Sequence, residues 1–185
     1  LNKTLGILGC GWLGLALAKS FIAQGYSVKG STTSAEKIGA LAQAGITPFS
    51  IRIDEGGIEG DIANFLKGLE VLVINVPPGL RGKNTEDYVK KMTTLYRAIK
   101  ASAPKNIIFV SSTSVYGDLE GEVTEQSPAR PHTESGKQLL AAEQLFKNDK
   151  VLQVAVVRFG GLIGPDRHPI TQLSGKQGLK NGNEP

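Results

Sequence analysis

The chain has a single cysteine, Cys10, among 185 residues. That excludes an internal disulfide and suits a reducing cytoplasm. No apolar run approaches the roughly 20 residues of a membrane span. The first residues lead straight into an apolar run, so no secretory leader is read ahead of it. Internal repeats, coiled-coil heptads and low-complexity tracts are absent. There is also no block of like charge: 21 basic and 17 acidic residues are scattered, for a net +4. A nucleic-acid face is therefore not expected, and the mild basic excess suits a small anionic ligand. What is present is a globular composition, 40% hydrophobic and 21% charged. It is long enough for one domain with a proper core.

Strand and helix patterns alternate along the chain. Strands are expected at 4–8, 26–30, 48–53, 71–75, 107–110 and 151–157. Helices are expected at 12–24, 34–43, 60–67, 84–102 and 135–147. Leu13, Leu17 and Phe21 mark one face of the first helix; Met92, Leu95, Tyr96 and Ile99 mark one face of the fourth. Strands rich in Val and Ile without alternation are buried on both faces, as in parallel sheets. With right-handed crossovers they predict an α/β fold, a doubly wound parallel sheet of Rossmann type in the order 3-2-1-4-5-6. The domain is expected over residues 1–167, and 168–185 reads as the start of a truncated C-terminal substrate region.

Gly9-Cys10-Gly11-Trp12-Leu13-Gly14 follows the first strand and opens the first helix. In that context the glycines form a dinucleotide-binding loop. Gly9 permits the tight turn, Gly11 lets backbone approach a pyrophosphate, and Gly14 lets the helix pack closely on the strand. Helix N–H groups then receive the phosphates. Cys10 reads as a small residue that fits the loop rather than a reactive thiol. NAD sites usually place Asp or Glu at the end of strand two. Here Ser31, Thr32, Thr33 and Ser34 stand there, followed by Lys37, with no carboxylate until Glu36. These groups suit a 2′-phosphate and point to NADP, with NAD left open because the segment has no Arg. The same hydroxyls also suit a helix cap. Asp54 is a candidate for the adenine amino group or a plain loop carboxylate. Asn75, Val76 and Pro77 end strand four, where open α/β sheets bind ligands.

After strand five comes Ser111-Ser112-Thr113-Ser114-Val115-Tyr116-Gly117, and after strand six Arg158-Phe159-Gly160-Gly161-Leu162-Ile163-Gly164-Pro165. With the glycine loop, these motifs resemble the extended and atypical short-chain dehydrogenase/reductases, the NAD-dependent epimerase/dehydratase group. The resemblance covers residues 4 to about 167. It implies that Ser112 polarises a substrate hydroxyl or carbonyl and that Lys137 binds the nicotinamide ribose. It implies a Tyr four residues before Lys137 as the acid/base, but Thr133 stands there. A phenol near pKa 10 can be brought towards neutrality by an ammonium; an aliphatic alcohol cannot take that role. This and the G-x-G-x-x-G spelling point to the atypical, YeeZ-like subgroup. Tyr116, His132 and Glu134 are the groups that could replace the Tyr. Arg158 is expected to support its loop, and Gly164-Pro165 to bend the chain beside the nicotinamide.

Two functions follow. One is NAD(P)-dependent oxidoreduction, epimerisation or dehydration of a small hydroxylated or carbonyl substrate such as a nucleotide sugar. The other is a non-catalytic NAD(P) sensor. Neither calls for a metal, a membrane or nucleic acid. The resemblance also suggests a homodimer through the helices at 84–102 and 135–147.

Overall fold

Six of the apolar runs pair side by side in one parallel sheet. The computed structural model describes residues 3–79, 86–102, 104–118, 121–164, 166–168, 170 and 173–175. In chain order the elements are β1 (Thr4–Leu8), α1 (Trp12–Ala23), β2 (Ser27–Thr32), α2 (Lys37–Gln43), β3 (Thr47–Ser50), β4 (Arg52–Ile53) and β5 (Ile58–Glu59). Then follow α3 (Ile62–Leu66), β6 (Val71–Ile74), α4 (Tyr88–Lys100), β7 (Asn106–Ser112), a 3-10 turn (Thr113–Tyr116), α5 (Glu134–Lys147) and β8 (Gln153–Phe159). The sheet order is β3-β2-β1-β6-β7-β8, with every pairing parallel. This is the doubly wound α/β fold expected.

The numbering differs from 3-2-1-4-5-6 because the expected third strand, 48–53, divides into β3 and β4, and a further short strand, β5, that was not expected follows it. β3 stops at Ser50, and Arg52–Ile53 turn away to pair antiparallel with β5. Two devices make the break. Gly60, at φ +97, packs so closely that a Cβ would overlap the Ser50 carbonyl oxygen. Asp54 Oδ1 accepts from the N–H groups of Gly56 and Gly57, both at 2.8 Å, and closes the hairpin. β2 also runs further than expected, through Thr32, and α2 starts late, after Glu36, with no side-chain cap. Ser31 and Thr32 are thus strand residues and not caps of α2.

Two apolar cores sandwich the sheet. α1 and α2 cover one face over Ile7, Val28 and Val73. α3, α4 and α5 cover the other over Leu72, Ile74 and Phe109. Consecutive Leu72, Val73 and Ile74 are all fully buried, as a central parallel strand requires. α4 buries Met92, Leu95 and Ile99, with Tyr88 added one turn earlier. The expected residues 84 and 85 lie outside the described residues. α1 differs from expectation: its buried line is Gly14 and Ala18, while Leu13 and Leu17 are half-buried. Small residues there draw the helix onto β1. Among the described residues, no helix is long and apolar enough to cross a membrane.

Candidate functional site

β1 and β6 are neighbours, yet β1 leads to a helix on one face and β6 to a helix on the other. The loops leaving their carboxyl ends diverge and open a crevice there. Gly9 lies in that crevice at φ +101, where a Cβ would overlap the Asn75 carbonyl oxygen. Asn75 Nδ2 donates to the Gly9 carbonyl at 2.8 Å. Ser31 holds the other side: its hydroxyl accepts from Gly9 N–H at 2.9 Å, and its carbonyl accepts from Cys10 N–H at 2.7 Å. A Cβ at Gly14 would overlap the Gly9 carbonyl oxygen, so the helix can lie this close only with glycine there. Gly11 is different. A Cβ there meets nothing within 4 Å, and as N-cap of α1 it offers no side chain to the helix N–H groups. The loop therefore leaves open space in front of unpaired donors, which fits a diphosphate. Cys10 is buried, its thiol pushed up to about 11 by desolvation, which marks a packing residue and not a nucleophile.

Clefts lie on both sides of this loop and share Gly9, Gly11, Asn75, Val76 and Pro77. The first, about 400 Å³, is lined by Ser31, Thr32, Thr33, Ser34, Lys37 and Asp54. It also takes in Arg52, which the sequence reading missed because Arg52 comes from the hairpin after β3. Arg52 pairs with Glu59 at 3.8 Å, with both side chains largely in solvent, so the pair is weak and the guanidinium remains available. Asp54 keeps one oxygen occupied by its own turn. The second cleft, about 500 Å³, is lined by Trp12, Leu13, Val110, Ser112, Phe159 and Arg167, among others. Every predicted cofactor residue except Gly14 and Lys137 lines one cleft or both. Gly14 acts through packing. Lys137 lies exposed on the first turn of α5, outside both linings, and its ammonium has no hydrogen bond or ion pair among the described residues.

Ser112 ends β7 on the wall of the second cleft, its Oγ accepting from Ser114 N–H at 3.1 Å. Beneath it Ser111 donates to Glu143 Oε1 at 2.6 Å. Arg158 donates to the same carboxylate twice, through Nε at 3.0 Å and through a terminal nitrogen at 2.6 Å. The bond to Glu143 holds the guanidinium pKa above its ordinary value. Arg158 also stacks 4.7 Å over the Tyr116 ring. Arg158 thus ties β8 to α5 and to the turn after β7, where its own loop was expected to be the part supported. The buried Glu143 that anchors it was not anticipated: a glutamate inside a helical run gives no sign of burial.

Thr133 is the N-cap of α5, its hydroxyl accepting from Gly136 N–H at 3.1 Å. Gly136 is pressed against the Ser114 carbonyl, where a Cβ would come within 2.7 Å. Of the groups that could replace the missing Tyr, His132 and Glu134 are exposed and Tyr116 is packed under Arg158. None of the three lines the second cleft. The segment after β8 folds back onto the glycine loop. Trp12 Nε1 donates to Asp166 Oδ1 at 2.6 Å, and Gly164 lies so close to the indole that a Cβ would overlap it. Pro165, expected to bend the chain there, lies outside the described residues.

An open crevice at a sheet switch point, with a glycine loop and two flanking clefts, defines a dinucleotide-binding domain. A family model described as NAD(P)H-binding matches residues 9–184, and the chain belongs to that family. It is 37% identical over 175 residues to Protein YeeZ of Escherichia coli strain K12, covering 94% of this chain and 64% of that protein. The chain thus spans less than two thirds of that relative's length. It is 26% identical over 151 residues to YtcB of Bacillus subtilis strain 168, described as an uncharacterized UDP-glucose epimerase, covering 68% of this chain and 48% of that protein. Its fold matches UDP-glucuronic acid 4-epimerase from Bacillus cereus, solved in complex with NAD, at TM-score 0.73 and 20% identity over 90% of this chain and 58% of that one. The resemblance to the atypical short-chain dehydrogenase/reductases agrees with these findings.

Proposed function

We propose that this chain is the cofactor-binding part of an NADP-dependent oxidoreductase of the epimerase/dehydratase type, acting on a hydroxylated or carbonyl substrate such as a nucleotide sugar. The observation that carries this reading is Ser112 on the wall of the same groove that the glycine loop crosses. When bound, the nicotinamide supplies or accepts a hydride. Gly11 and the N-terminus of α1 hold the diphosphate. Thr33, Ser34, Lys37 and Arg52 receive the ribose 2′-phosphate, and the resemblance assigns Lys137 to the other ribose. Ser112 Oγ already accepts a backbone N–H, so its own proton is free to be donated to a substrate oxygen. The description of YtcB as a UDP-glucose epimerase supports a nucleotide sugar as the substrate class.

A second reading, a sensor without turnover, is favoured by Thr133: where the resemblance calls for an acid/base, its hydroxyl caps a helix. The experiment follows NADPH absorbance with a carbonyl panel and, because epimerisation and dehydration are net redox-neutral, follows UDP-hexoses incubated with NADP by chromatography of the sugar product. The enzyme reading expects turnover that Ser112→Ala lowers by about 10²-fold with cofactor affinity unchanged. Tight cofactor binding with no turnover across the panel makes the protein a sensor.

A further inference from the structure

We propose that Arg167 binds the dinucleotide's diphosphate from a perch on Trp12, an inference that rests on reading the groove as a dinucleotide site. Arg167 lines the second cleft together with Gly11 and Trp12. Its guanidinium lies 4.7 Å from the centre of the Trp12 ring. Trp12 is the first residue of α1, directly after the N-cap Gly11. A cation thus stands at the positive end of a helix whose first turn holds no acidic residue. Like signs at that spot are unfavourable in isolation and become favourable when an anion lies between them.

The perch is built. Asp166 pins the indole edge through Nε1 at 2.6 Å. Arg167 N–H donates to the Gly164 carbonyl at 3.0 Å, closing a turn against the ring. Asp166 is the carboxylate next to Arg167, and its Oδ1 is occupied by Trp12. Among the described residues the guanidinium makes no hydrogen bond to a carboxylate. Placed over the indole, it has no hydrogen-bond partner for its N–H groups among the described residues, and these are the groups with which arginine grips phosphate through two parallel bonds.

The test needs no turnover. Trp12 is the only tryptophan, so its emission reports ligands in the groove, with calorimetry as a second measurement. NADP is titrated against wild type, R167Q and R167K, and so is adenosine 2′-monophosphate, which lacks the diphosphate bridge. The expected result is a loss of NADP affinity in R167Q of about 10-fold to 100-fold, a smaller loss in R167K, and unchanged affinity for adenosine 2′-monophosphate. Equal NADP affinity in R167Q and wild type overturns the proposal, and so does an equal loss for both ligands, which would mark a purely structural residue. A wild-type protein that binds neither NADP nor NAD overturns the dinucleotide reading itself.

Discussion

Replacing Glu143 by Ala is expected to destabilise the fold by about 3–5 kcal/mol. Glu143 is 1% exposed and accepts three hydrogen bonds, from Ser111 at 2.6 Å and from Arg158 at 3.0 and 2.6 Å. Truncation leaves a guanidinium, itself only 18% exposed, without its counter-charge, and leaves the Ser111 hydroxyl without its acceptor. The orphaned charge dominates the loss, because breaking a buried pair costs more than the pair contributes when intact. Arg158→Met is expected to cost a similar amount by stranding the carboxylate. The double replacement Glu143→Ala with Arg158→Met removes both charges and costs clearly less than the sum of the two single losses. Against a total stability of about 5–15 kcal/mol, either single variant is left marginal. Urea unfolding, followed by Trp12 emission and circular dichroism, measures all three. A loss below about 1 kcal/mol in Glu143→Ala, or strictly additive losses in the double variant, would refute the reasoning.

Gly9→Ala is expected to abolish cofactor binding, since the methyl group overlaps the Asn75 carbonyl oxygen at φ +101; calorimetry showing native affinity would contradict it. Lys37→Ala with Arg52→Ala is expected to cost NADP at least about tenfold in affinity, each lost charged contact accounting for several-fold, and to leave NAD unchanged; equal losses for both cofactors would place the two cations elsewhere. Asp149 accepts from the Tyr96 hydroxyl at 2.5 Å and pairs with Lys100 at 2.9 Å. The Tyr96 bond first, then Lys100, holds its carboxyl well below the ordinary range. A depressed folded-state value means the stabilisation is fully present above the unfolded carboxylate pKa of about 3.9 and is lost as pH falls towards the folded value. Asp149→Asn should therefore flatten the fall of Tm below about pH 4; parallel curves for variant and wild type would count against the contact.

Much of this architecture is legible in local pattern. Leu72-Val73-Ile74 reads as a strand covered on both faces, and Met92, Leu95 and Ile99 read as a helix face, because burial imposes a period on the chain. The glycine loop is legible for another reason: each glycine meets a separate steric demand. What was missed depends on residues that meet only after folding. The break of β3 lies in Gly60 and Asp54, which act across a turn rather than along a strand. Arg52 enters the first cleft only because that hairpin turns it there. Glu143 lies inside an ordinary helical run, and its burial is set by Arg158 on a neighbouring strand. Arg167 and Asp166 reach Trp12 from the far end of the chain. Thr133 shows the opposite case: its departure from the expected Tyr is plain in the sequence, and the structure adds what the hydroxyl does instead.

The most direct measurement of the central claim is a pair of calorimetric titrations of the protein with NADP and with NAD. Both are expected to bind, with NADP tighter by at least about tenfold, since the 2′-phosphate gains charge-assisted bonds at Lys37 and Arg52. NAD binding as tightly as NADP would contradict the assignment of the first cleft. Binding of neither would contradict the groove as a cofactor site.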